Sequence, residues 1–208
     1  MTTNSDAVLE TWFGDDLEDP QTVADRCLHW FAPEPSFDDL IRERFGTFPD
    51  RAQHGEFTEW TRGERSTLAL VVVLDQFPRN LYRGTPRSFA YDSVALAASR
   101  EALAREVDGR LHPVEAAFLY LPFEHAEDRA AQAQSVASFR SLALRAPAQL
   151  GDRFEGFVEY AERHQAVIER FGRFPHRNSI LGRRSTAEEL QYLVSGGETF
   201  SSGAQGNA

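Results

Sequence analysis

Apolar residues recur every three to four positions in segment after segment of this chain, and no two stretches alternate with the period of two that paired strands need. One run is ambiguous. LALVVVL at 68–74 has the Val-rich composition of a strand. A lone strand would leave its backbone hydrogen bonds unmet, however, while Leu68, Val71, Val72 and Asp75 share one helical face, so a buried central helix is expected over 64–77. The fold class that follows is all-α, with about eight helices stacked as antiparallel hairpins.

Capping chemistry and proline set the other expected boundaries. Helices are expected over Val8–Phe13, ended by Gly14; over Thr22–Phe31, ended by Pro33 and Pro35; and over Phe37–Phe45, capped by Gly46. Asp92 is the expected N-cap of SVALAASREALARE, and Pro113 opens VEAAFLYL. Pro122 should break or kink that helix, placing Glu124 in a new first turn that runs on towards Leu144. A helix over Phe157–Phe171 ends at Gly172, and overlapping capping boxes, Ser185 with Glu188 and Thr186 with Glu189, open the last one, to Val194. At 208 residues and 41% hydrophobic content, residues 1–195 suit a single domain, and GGETFSSGAQGNA at 196–208 has the composition of a flexible tail. ERFGTFPD at 43–50 is echoed by ERFGRFPHRN at 169–178, a reused helix-end device.

Composition excludes several function classes. All 22 basic residues are arginine, so no lysine can form a Schiff base or serve a phosphate-binding loop. The formal charge of −10 argues against a nucleic-acid or anionic-membrane partner. Cys27 is the sole cysteine and lies on an apolar stripe, which rules out internal disulfides and cysteine-based zinc clusters and favours a cytoplasmic setting. The N-terminal stretch has neither a basic region nor an apolar core, so no signal peptide is expected, and the longest apolar run is too short to cross a bilayer.

Three stretches carry the candidate chemistry. LDQFPRNLYRG at 74–84 and RFGRFPHRNSILGRR at 170–184 concentrate arginines in an acidic chain, and guanidinium forks suit carboxylate or phosphate. Phe-Pro in each should turn the chain out of its helix, projecting Arg79, Asn80 and Arg83 from one and Arg173, His176, Arg177, Asn178 and Arg183 from the other as substrate-binding candidates. In LPFEHAED, His125 has Glu124 beside it and Asp128 one turn on, the company of a general acid or base. His164 lies on the apolar face of its helix, which leads into the second arginine stretch. His125, His164 and His176 with Glu124 and Asp128 could also assemble a metal site, although the HExxH and paired Glu-x-x-His signatures are missing; no metal or other cofactor is assigned.

LDQFPRNLYRGTPRSFAYD, FLYLPFEHAED and RFGRFPHRNSILGRRST resemble, in that order, signature blocks of the bacterial family known as domain of unknown function 924. The resemblance runs from about Val8 to Val194. It implies an all-α, tetratricopeptide-like fold of stacked hairpins and carries no activity.

The expected function is that of an enzyme or ligand binder whose pocket takes a small anionic molecule, with cofactor-independent hydrolytic or other acid/base chemistry. Arg79, Arg177 and Arg183 would hold the anion. His125 would act as acid or base, oriented by Glu124 or Asp128, and His164 would assist. Two alternatives stay open on the same residues: a non-catalytic scaffold whose groove takes an acidic peptide or protein, and a metal-dependent enzyme.

Overall fold

The computed structural model describes residues 4–200, and among them every regular element is helical. The helices are α1 (Asn4–Phe13), α2 (Pro20–Phe31), α3 (Pro35–Phe45), α4 (Phe48–Gln53), α5 (Glu64–Val71), α6 (Phe77–Leu81), α7 (Asp92–Ala104), α8 (Pro113–His125), α9 (Arg129–Ala143), α10 (Gly151–Phe171) and α11 (Ala187–Val194). From α7 to α10 each helix packs on the next, while α5 runs through the middle against α1, α7 and α8. No described helix is long and apolar enough to cross a membrane.

The ambiguous Val-rich run is helical, and buried from Thr67 through Gln76. It is not uniformly α. Over Val72–Gln76 the turn widens into a π-helix, with the Phe77 N–H bonded to the Val72 carbonyl five residues back. Pro78 explains the widening: it has no N–H to give, and in a regular α-turn its ring would strike the Leu74 carbonyl. The helix then continues as α6.

Several local expectations change. Phe-Pro does not close a helix: Pro49 and Pro175 occupy first-turn positions, where a missing N–H costs nothing, and Pro78 is accommodated by the π-turn within a continuing helix. Pro122 does not break α8, which continues to His125 and is buried along nearly its whole length from Val114 to Glu124. Packing on several sides outweighs the roughly 3 kcal/mol that an interior proline costs. Glu124 therefore lies at the C-terminal end of a helix, where the dipole disfavours a carboxylate, and not in a new first turn. Asp92 is the first residue of α7 without capping it. Gly46 caps α3 in a right-handed conformation (φ −57°) and is needed for space, since a Cβ there would lie 2.5 Å from the Arg42 carbonyl. Gly172 is left-handed (φ +71°), as a helix-terminating glycine should be. Thr186 and Glu189 form the capping box of α11.

The core centres on aromatic rings. Trp12, fully buried, touches Phe37, Phe77 and Phe118 at centroid distances of 5.7, 5.8 and 5.8 Å, and Phe118 also meets Phe13 and Trp30. This joins α1, α2, α3, α6 and α8. A smaller cluster of Val167, Ile168 and Phe174 seats the loop after α10. Residues 196–200, assigned by composition to the tail, lie back on α10, where Glu198 accepts two hydrogen bonds from Arg163 and the Phe200 ring stacks on His164; residues 201–208 of that expected tail fall outside the described residues.

Replacing Trp12 by Ala should cost about 3–5 kcal/mol of unfolding free energy by analogy with other buried aromatic truncations, measured by denaturant titration. A loss below about 1 kcal/mol would contradict the central place given to this ring.

Candidate active site

The π-turn aims Asp75 inward. Its carboxylate is wholly buried and accepts hydrogen bonds from Gln76 and from His125 Nδ1, the latter at 2.8 Å. Arg79, one turn on, lies 3.5 Å from the same carboxylate, donates to the Asp75 carbonyl at 2.6 Å and reaches Asp92 at 2.9 Å. The other carboxylate oxygen of Asp92 takes Arg177 at 3.4 Å, and Arg177 also donates to the His125 carbonyl at 3.0 Å. Asp75, Arg79, Asp92, Arg177 and His125 thus form one connected network across four segments of the chain.

Burial and neighbouring charges together set the protonation states. Burial pushes the Asp75 carboxyl up, but Arg79 and His125 outweigh it and hold the group well below the usual carboxylate range. Burial, with Asp75 close by, raises Glu124 to about 8, so at neutral pH it carries a proton. His125 is lowered by burial and by Arg79 and is neutral; donation from Nδ1 to Asp75 leaves Nε2 as its lone-pair nitrogen. His164 is likewise driven down by burial, with Nδ1 bonded to the Tyr160 carbonyl at 2.9 Å. Its 3.7 Å approach to Glu124 is therefore a contact between neutral groups and not an ion pair. Burial brings His176 to about 3 and Arg177 to about 10.

Of these groups, Arg79, Glu124, His125, His164, His176 and Arg177 border a cavity of about 340 Å³. Its lining includes the apolar Phe31, Leu121, Phe139 and Phe157 and the polar Gln76, Arg79, Glu124, His125, His164 and Arg177, with Phe89 packed on Arg177 and Phe200 on His164. Four polar atoms of lining residues are buried with no hydrogen-bond partner among the described residues: Arg79 Nη2, Arg177 Nε, Glu124 Oε1 and His176 Nδ1. The Arg177 guanidinium is clamped between the rings of Phe89 and Phe174, at 4.6 and 4.4 Å.

Residues 8–197 match the family model described as "Bacterial protein of unknown function (DUF924)". The chain belongs to that family. A solved structure of a protein of unknown function from Agrobacterium tumefaciens is 36% identical to this DUF924 chain, covers 92% of it and 97% of its own length, and superposes with a TM-score of 0.77. No curated protein matches the chain.

Of the residues singled out in this DUF924 sequence, seven line the cavity: Glu124, His125, His164, Arg79, Arg83, His176 and Arg177. Arg83 is held there by Asp38. The other five lie elsewhere. Asp128 caps α9 by accepting from the Ala131 N–H at 2.8 Å and does not touch His125; the orienting carboxylate is Asp75. Asn80 donates to Asp38, and Arg173 pairs with Glu189. Asn178 bonds Ser185 and Glu189, and Arg183 is forked onto Glu127, so these two fasten the loop from 172 to 186 to its neighbours. Among the described residues no group of three or more His, Cys, Asp or Glu side chains is arranged to hold a metal ion.

Sequence reasoning passed over Asp75, Asp92 and Tyr160. For Asp75 the signal was present: it is the one charged residue in the largely apolar stretch from Thr67 to Pro78. Asp92 has the pattern of an ordinary helix cap, and its bond to Arg177 spans 85 positions, so nothing local marks it.

The raised Glu124 has a thermodynamic consequence. Unfolded, it ionises near 4.5; folded, it keeps its proton to about 8. Between those values the native state holds the extra proton, so this group makes stability fall as pH rises through that window. Glu124→Gln should abolish that part of the slope, so its Tm gain over wild type grows from pH 5 to pH 8. A Tm difference that is flat across the window would show that Glu124 ionises normally.

Proposed function

We propose that the cavity is the active site of a small-molecule hydrolase in which His125, oriented by Asp75, is the general base and Glu124 the general acid. One observation carries the reading: a wholly buried carboxylate fixes the tautomer of a neutral histidine at a cavity wall, beside a carboxyl held protonated. Two titratable groups pushed to opposite roles by their surroundings are the usual basis of acid–base chemistry at neutral pH.

The steps balance without further reagents. His125 Nε2 takes a proton from water as its oxygen bonds to the carbonyl carbon of an ester or amide. The spare N–H groups of Arg79 and Arg177 donate to the developing oxyanion. The bond from carbon to the leaving group breaks, Glu124 protonates that group, and the proton held on His125 returns to Glu124 through solvent. Products are the acid and the alcohol or amine. Arg79 and Arg177 also suit the negative oxygen of the acid itself, whereas Arg183 is occupied by Glu127 and takes no part. The convergence of both arginines and both histidines on one hollow favours a small molecule over a peptide laid along an open groove.

With an alkyl ester, rate should rise with pH through the depressed pKa of His125, plateau, and fall near 8 as Glu124 ionises. His125→Asn should reduce kcat roughly 10²–10⁴-fold. Glu124→Gln should impair alkyl-ester turnover yet spare much of the rate on a p-nitrophenyl ester, whose leaving group needs no proton. Wild-type turnover by His125→Asn would sink the assignment.

A further inference from the structure

The cavity lining combines a run of neighbouring apolar rings with a connected network of polar groups. Phe31 and Phe139 each lie 6.0 Å from Phe157, ring centre to ring centre, so α2, α9 and α10 contribute neighbouring aromatic rings to the lining, an aromatic wall. The network from Asp75 to Arg177 is linked throughout by hydrogen bonds and ion pairs. Leu121 precedes His125 by one helical turn and also lines the hollow, so α8 contributes both apolar and polar groups.

The charge of the polar groups is balanced. Arg79 and Arg177 face Asp75 and Asp92. The histidines are neutral, and Glu124 is protonated. A site with no surplus positive charge gives a phosphate or a dicarboxylate little to compensate its lost hydration. Two spare guanidinium N–H donors suit one carbonyl or one carboxylate. The rest of the ligand must satisfy the aromatic wall.

From this lining and its balanced charge we infer that the ligand is a monocarboxylic acid, or its ester or amide, carrying an apolar acyl or aryl body: the carboxyl carbon lies at Arg79 and Arg177 and the body against Phe31, Phe139 and Phe157. This deepens the hydrolase reading and rests on it for the identity of the reacting bond. Binding of the free acid follows from the shape and charge of the cavity alone.

The test uses the full chain and calorimetric titration with acetate, hexanoate, octanoate and decanoate, with octylamine and octyl phosphate as controls. Affinity should rise about three- to fourfold per added methylene until the cavity is filled. Both controls should bind at least tenfold more weakly than octanoate. Leu121→Trp, which fills the hollow, should lose octanoate; should that variant fail to fold, the wild-type series still decides. Affinity independent of chain length, or octylamine or octyl phosphate binding as well as octanoate, overturns the inference. The two readings separate cleanly. Octanoate bound by wild type and by His125→Asn, with no turnover of octanoyl esters by wild type, upholds the ligand class and removes the hydrolase. Turnover of esters with no dependence on acyl length removes the ligand class and keeps the hydrolase.

Discussion

A carboxylate at zero exposure inside a helix must be answered by its surroundings, since an unpaired buried charge costs several kcal/mol, and in this molecule the answers to Asp75 organise everything nearby. His125 and Arg79 answer it first, from α8 and from the next turn of its own helix. Arg79 then needs more than Asp75 can offer and takes Asp92 from the start of α7. Asp92 is shared with Arg177, which brings in the loop that follows α10. Four segments far apart in sequence are thereby held at hydrogen-bonding distance by one chain of compensation.

The same chain of compensation leaves chemistry behind. Pairing Asp75 with a cation and a histidine makes its negative charge available to fix a tautomer, while its field, added to burial, keeps the neighbouring Glu124 protonated. The π-turn matters because it directs Asp75 inward, and the proline that widens it is the Pro of the Phe-Pro pair. Much of the arginine in the second basic stretch serves a different end. Arg173 and Arg183 are matched to Glu189 and Glu127 and hold the loop in place, so that only Arg177 reaches the cavity. Its guanidinium is stripped of water and clamped by two rings, which fixes where its spare N–H points.

Read by itself, the sequence settled the fold class and most of the helices, because an amphipathic period and a capping residue act within one or two turns of chain. It also settled which chemistries were impossible, since a missing lysine or a second cysteine cannot be supplied by folding. Seven of the twelve residues it singled out border one cavity, and the His-Glu pair of LPFEHAED is among them. The tertiary structure alone decided the rest. Whether Pro122 breaks a helix depends on what packs around it. Whether Asp128 or Asp75 orients His125 depends on a contact 50 positions away in sequence. Whether an arginine is spare or spent depends on which carboxylate the fold brings to it, and burial and neighbouring charge, which together set the protonation states at this site, belong to the packed molecule and not to any stretch of its chain.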